Sequence, residues 1–269
     1  PDISINKNKT YSSEASGALS GGTLPNDVVE LQRELRAARQ EIRELQRQLQ
    51  ESALHLEHQT SIARRFQSLF NPPTLPRIEG VNFCVKYQPC ESVGGDIYDV
   101  FEMGNSCVGI LVGDIAGSGL AAVLVTALTK MAFDTFRQNE YSPSVILEKV
   151  NAHLVRHTLG NQFLTAFLGV LDLETLRLKY VNAAHPSPIL YSAARFQLLD
   201  TDGLCCGMFE EPRLEEKEVQ LKDGDHILLF TRGLLDMAGP SGKRYQDARL
   251  YHVLKGRRER PVGDIMRLI

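Results

Sequence analysis

The chain has 269 residues, 43% of them hydrophobic and 23% charged, close to the average of folded soluble proteins. That excludes a mini-protein held by staples, global disorder and a membrane bundle, and it fits one or two domains of about 150 residues each. Thirty Lys and Arg against 33 Asp and Glu leave a formal charge of -3, so no basic footprint for nucleic acid or anionic lipid exists, and no run approaches the roughly 18 consecutive apolar residues of a membrane span.

Residues 1–26, with Ser12, Ser13, Ser16, Gly17, Ser20, Gly21 and Gly22, have the composition of a flexible connector. From Asp27, expected to cap a helix, residues 27–71 carry a heptad pattern: Val28, Leu35, Ile42, Leu49, Leu56, Ala63 and Phe70 alternate with Leu31, Ala38, Leu45, Ser52, Gln59 and Phe66. The opposite charges of Glu34 and Arg39 flank the seam, which suits a parallel homodimer through a coiled coil of roughly 65 Å. An amphipathic helix packed on its own domain is the alternative, although a stripe of two apolar positions in seven is narrow for that. Asn71-Pro72-Pro73 ends the helix.

A second composition begins at residue 72 and runs to residue 269. Strands are predicted at Asn82–Tyr87, Ile97–Met103 and Cys107–Gly113. Two helices follow, Leu120–Arg137 and Ser144–His157, the second introduced by Ser142-Pro143. Further strands are predicted at Phe163–Leu173, Arg177–Asn182, Pro188–Tyr191 and His226–Thr231. Strands, then two helices, then strands again argue for an α+β fold with antiparallel sheet. The five cysteines are odd in number and lack any C-x-x-C, so neither a disulfide framework nor a zinc site is suggested; a reducing cytoplasm fits, and Cys205-Cys206 is expected to be a buried small apolar pair. The first residue is Pro1 and no signal pattern follows it, which suggests a piece of a longer chain.

Two acidic motifs stand at strand ends: Val93-Gly94-Gly95-Asp96-Ile97-Tyr98-Asp99, and Val112-Gly113-Asp114-Ile115-Ala116-Gly117-Ser118-Gly119. Carboxylates beside glycines, where backbone approaches closely, are the oxygen ligands that hard divalent cations take, and the same Gly-Asp composition also makes ordinary turns. Together with Gln67-x-x-Phe70-x-Pro72, Leu75-Pro76, Tyr87-x-Pro89, the run TAFLGVLDLETLRLKYVNAAHPSPIL (165–190) and GDHILLFTRGL (224–234), these motifs occur in the order of one family. Over about residues 63–258 the chain resembles the SpoIIE-like, RsbU-like branch of the bacterial PPM-type metal-dependent protein serine/threonine phosphatases.

The resemblance implies an αββα sandwich whose aspartates hold two Mn²⁺ or Mg²⁺ ions, and a metal-activated water that attacks a phosphoserine or phosphothreonine. It further implies a STAS-domain phosphoprotein as substrate and an upstream sensor or receiver domain acting through the helix. Matched by position, Asp96 and Asp114 are the early metal aspartates, with the Ile115 carbonyl a further ligand. Gly94, Gly95, Gly113, Gly117 and Gly119 would shape the site. Asp99 is expected in a structural role, and His185 either contacts substrate or is a satisfied structural residue.

Three departures stand beside these matches. The family's Thr-Asp-Gly is Thr231-Arg232-Gly233 here, so a metal carboxylate has become a guanidinium. At an effective dielectric near 20, unit charges about 4 Å apart interact by about 4 kcal/mol, and reversing one of them beside a divalent ion changes the balance by several times that before solvent relaxes it. Reduced or absent metal occupancy is expected. Ser118 replaces a histidine common in the family, and the family's final Asp-Asp segment would come after Ile269. Asp236 is the nearest substitute carboxylate in sequence, expected on a different side of the turn. Arg232 either grips a phosphate or points to solvent. The chain is thus read as a phosphatase with impaired or partner-dependent metal binding, or as a pseudophosphatase that binds a phosphoprotein.

Overall fold

The computed structural model describes residues 26–71, 74–89, 93–117, 119–158, 162–192, 195–238, 246–255, 260 and 262–269. The chain divides into two units, residues 1–55 and 56–269. Most of the expected linker therefore lies outside the described residues, as do Pro72, Pro73 and Ser118.

The described part of the first unit is a single helical stretch of α1 (Asn26–Phe70). Because the helix starts at Asn26, Asp27 falls in its first turn, where a negative charge suits the helix dipole, rather than at the cap. Leu31, Leu35, Ile42, Leu45 and Leu49 of the heptad seam are exposed, and the outer surface carries Arg47 paired with Glu44 and Glu51, both at 2.7 Å.

The second unit is built on two antiparallel sheets. One has the order β1-β2-β3-β4-β7, from β1 (Asp96–Met103), β2 (Cys107–Ile115), β3 (Leu164–Asp172), β4 (Arg177–Ala183) and β7 (Lys217–Gln220). The other has the order β6-β5-β8, from β5 (Ile189–Ser192), β6 (Arg195–Leu198) and β8 (His226–Leu228). Between β2 and β3 run α2 (Gly119–Phe136) and α3 (Pro143–His157), and the C-terminal part holds α4 (Arg232–Asp236), α5 (Gln246–Lys255) and α6 (Val262–Leu268).

Strand alternation sorts the apolar side chains into three layers. Leu164, Ala166 and Leu168 of β3 join Ile97, Leu111, Phe133, Ile146 and Leu154 under α2 and α3. From the same strand, Phe167 and Leu171 turn the other way, to Leu178, Tyr180, Leu190 and Val219, with Phe167 and Tyr180 stacked at 5.7 Å. On β5, Ile189 and Tyr191 pack with Leu228, Phe230, Leu250, Leu254 and Ile265. Each such side chain contributes about 1.5–3 kcal/mol by leaving water. The αββα sandwich expected from the resemblance is the fold observed. The helix α2 is long and apolar enough to cross a membrane by length and composition, but Ala122, Val123, Val125, Ala132 and Phe133 are buried in the protein.

The capped start of α3 is as expected: Pro143 opens it, and the Ser142 hydroxyl accepts from the Val145 N–H at 3.4 Å. Four expectations are corrected. Residues 82–89 form no strand, and β8 ends at Leu228 rather than Thr231. The helix after Thr231 follows the expected strand-to-helix turn, whereas strands β6 and β7 and helices α5 and α6 were not anticipated; both strands are four-residue sheet edges with charged side chains, too short and too polar to show alternation. Of the cysteine pair, Cys206 is buried and Cys205 only partly so, because Cys206 alone pairs with Leu164 in a bridge against β3.

Candidate functional site

The turn joining β1 to β2 has Asn105 and Ser106 both at φ 56°, a conformation that matches the twist of a tight hairpin. The register it sets places Asp96 directly opposite Asp114. The Ile115 N–H donates to the Gly95 carbonyl at 3.0 Å, which makes residues 95 and 115 a hydrogen-bonded pair. Asp96 and Asp114 are then a non-hydrogen-bonded pair, the kind whose side chains stand closest. Their neighbours Ile97 and Ile115 point into the layer beneath α2 and α3, so alternation turns both carboxyl groups to the opposite face.

Gly95 leaves the space this pair needs. A Cβ there would collide with the Ile115 carbonyl oxygen and reach 3.1 Å from Asp114 Oδ1. At Gly113 it would lie 2.9 Å from Leu164 Cδ1 and from the Thr165 carbonyl oxygen. Gly117 and Gly119 take φ of 123° and 69° at the entry to α2. Gly94 has open room, and is held instead by two hydrogen bonds with the Gln67 side chain.

The row continues across the sheet. Thr165 lies opposite Asp114, and its hydroxyl reaches the Asp114 carbonyl at 3.4 Å and His185 Nδ1 at 3.1 Å. His185 follows β4, with its backbone N–H donating to Asn182 Oδ1 at 2.8 Å. The residue is 5% exposed, and burial above all, with Arg232 adding, pushes its pKa down to about 4, against the pull of the Phe230 and Thr165 backbone. The ring is therefore neutral at neutral pH.

The facing groups come from the segment after β8. Thr231 precedes α4 as its N-cap but makes no side-chain cap bond; its side chain instead acts to lower the Asp96 pKa. Burial, then the Asp114 charge, raise the Asp96 pKa to about 6, and the Thr231 side chain opposes them. Burial also raises Asp114, and the guanidinium of Arg232 pulls it back down. Arg232 opens α4, exposed, and acts electrically on both Asp114 and His185. Asp236 closes the same helix, exposed, and shifts neither carboxylate. Asp99 is on the other face, buried and ion-paired with Lys130 of α2, in the structural role expected of it.

Thr165, Thr231, Gln67 and Asn71 were not expected in the site, although each lay in a quoted stretch: Gln67 in Gln67-x-x-Phe70-x-Pro72, Asn71 in Asn71-Pro72-Pro73, Thr165 at the start of the 165–190 run and Thr231 in Thr231-Arg232-Gly233. Among the described residues no group of three or more His, Cys, Asp or Glu is arranged to hold a metal. Two carboxylates beside a carbonyl, with room kept by Gly95, have the oxygen chemistry of one hard divalent cation. The guanidinium of Arg232 adds a positive charge that acts on Asp114.

A family profile described as Stage II sporulation protein E (SpoIIE) matches residues 104–269. The chain belongs to the SpoIIE family. It is 26% identical over 224 residues to the phosphoserine phosphatase RsbP of Bacillus subtilis (strain 168), covering 80% of this chain and 53% of RsbP. To the phosphoserine phosphatase RsbU of the same organism it is 24% identical over 189 residues, 70% of this chain and 56% of RsbU. The SpoIIE-family chain thus spans about half the length of these curated relatives. In fold it is similar to the SiaA-PP2C domain of Pseudomonas aeruginosa, with a TM-score of 0.66 at 23% identity over 82% of this chain and 88% of that one.

Proposed function

We propose that this SpoIIE-family domain is a serine/threonine phosphoprotein phosphatase with weakened metal binding. The observation that carries the reading is the in-register Asp96–Asp114 pair, both acids raised by burial and Asp96 also by the Asp114 charge, with Arg232 beside it. Asp96, Asp114 and the Ile115 carbonyl would hold one Mn²⁺ or Mg²⁺. The bound cation supplies Lewis acidity for hydrolysis of a phosphate ester. Thr231 keeps the Asp96 carboxylate charged, and Thr165 and the neutral His185 fix the sheet row behind Asp114. Arg232 neutralises part of the acid pair and so competes with the cation, while its exposed fork is free to meet phosphoryl oxygens.

The fold likeness and the relatives named phosphoserine phosphatases support a phosphoserine or phosphothreonine regulatory protein of STAS type as substrate, with an upstream sensor or receiver domain. The exposed seam of Leu31, Leu35, Ile42, Leu45 and Leu49 supports a homodimer through α1; light scattering on the chain should return the mass of two copies at tens of micromolar. A mass of one copy would remove the dimer.

One observation favours a second reading. Arg232 in place of a carboxylate makes the site a phosphoprotein reader without turnover, a pseudophosphatase, if no cation enters. Mn²⁺ titration of wild type and Arg232→Asp separates the two. The phosphatase reading expects weak uptake by wild type, uptake at least about tenfold tighter in Arg232→Asp, and faster release of phosphate from a phosphoserine protein. Absence of uptake in both variants would leave only the reader. Equal uptake by both would show that Arg232 does not set the affinity.

A further inference from the structure

β1 is the outermost strand of its sheet, with β2 on one side only, so the backbone groups along its other edge need partners from elsewhere. Since the Gly95 carbonyl faces β2, the groups of Gly94, Asp96 and Tyr98 face outward. Two side-chain amides from the end of α1 meet them. Gln67 accepts from the Gly94 N–H at 3.2 Å through Oε1 and donates through Nε2 to the Gly94 carbonyl. Asn71 accepts from the Tyr98 N–H at 3.3 Å through Oδ1 and donates through Nδ2 to the Asp96 carbonyl at 3.4 Å.

The two amides stand four residues apart, and the Asn71 N–H closes a last helical turn onto the Gln67 carbonyl at 3.4 Å. Each amide presents one acceptor and one donor, so the pair imitates the edge of a neighbouring strand. Both side chains are buried, at 4% and 7% exposure. One turn before Gln67, Ala63 packs with Val93 and Val123, which fixes the helix end from a second direction.

We infer that Gln67 and Asn71 are positioning residues for the Asp96 carboxylate. Their four bonds bracket it, at Gly94 before it and at Asp96 and Tyr98 after it. On its other side Gly95 is tied to the partner strand, its carbonyl accepting from the Ile115 N–H at 3.0 Å. A shift of the end of α1 along or about its axis therefore moves Asp96 against Asp114 and changes the width of the space between them. The helix that carries the heptad seam is in this way hydrogen-bonded to one of the two acids. Partners that orient a ligand without touching the ion typically change metal affinity 10- to 100-fold when removed.

The inference rests on the proposed cation site, and its test separates the two. Gln67→Met and Asn71→Leu keep close to the native volume and remove both amide bonds each. The Mn²⁺ dissociation constant is measured by calorimetry, together with hydrogen exchange of the Gly94–Tyr98 amides, on the full chain. Ser142→Ala, which removes the cap of α3, serves as a stability control. Either amide variant should bind Mn²⁺ about tenfold more weakly and exchange faster over Gly94–Tyr98, whereas Ser142→Ala binds as wild type does. Should Asn71→Leu fail to fold, Gln67→Met alone decides. A wild type that binds, with amide variants binding equally well, overturns the positioning role and leaves the cation site standing. A wild type that takes up no Mn²⁺ overturns the cation site, and the positioning role with it.

Discussion

The two walls of the candidate site are built to different standards. Asp96 and Asp114 sit on an eight- and a nine-residue strand paired along their whole length, with β3 paired to all nine residues of β2 behind them. Thr231 and Arg232 follow a three-residue strand and open a five-residue helix in which no residue is buried. The acids are therefore held by many backbone bonds, and only small shifts of one against the other leave the sheet intact. Their counter-charge is held by few. The repulsion between the acids is set mainly by the sheet, and most of its relief has to come from the softer wall or from a cation.

The sharpest way to expose this difference is pH. An acid raised from 3.8 to about 6 keeps a proton in the folded state that the unfolded chain has lost. Stability therefore falls as pH rises through that window, by about 3 kcal/mol, and stays lower above pH 6. His185 acts in the opposite sense: lowered from 6.5 to about 4, it refuses a proton that the unfolded chain accepts, so stability falls as pH drops from 6.5 to 4, again by about 3 kcal/mol. In wild type without divalent cation the two slopes nearly cancel, with Asp114, raised like Asp96, adding to the acid side. Asp96→Asn should unmask the histidine. Urea unfolding at pH 4 to 6.5 should then show stability climbing by up to about 3 kcal/mol, and at pH 7.5 the variant should exceed wild type. A variant no more stable than wild type at pH 7.5 would mean that the rigid wall does not hold the acids against each other.

The rigid wall was also the legible one. Alternating apolar residues and Gly-Asp endings mark β1 and β2 in the sequence, and the fold adds that Asp96 and Asp114 lie within the strands rather than beyond them. The softer wall was half legible: Arg232 is visible as a departure from Thr-Asp-Gly, whereas the turning of Thr231 towards Asp96 instead of its own helix is decided by tertiary approach alone. The expected strand at Asn82–Tyr87 failed for a physical reason. Its apolar pattern suits a strand, but the free edge of β1 that it would need is taken by Gln67 and Asn71. Pattern shows which residues prefer a sheet; it does not show which edges are already occupied.

Thr231 is the contact that ties the walls together, and removing it gives the smallest of the expected effects. An N-cap threonine usually contributes about 1 kcal/mol by accepting from its own helix, but here that bond is absent, so α4 has little to lose. What Thr231→Val deletes is the hydroxyl that favours the charged form of Asp96, while shape is kept. The Asp96 pKa should rise above about 6. Because a raised acid costs stability only where it would otherwise be ionised, the loss, about 1 kcal/mol, should be seen at pH 7.5 and vanish near pH 3.5, where Asp96 is protonated in both states. Urea unfolding at the two pH values measures it. An equal loss at both would assign the hydroxyl to the helix rather than to the acid, and the two walls would then be joined through Arg232 alone.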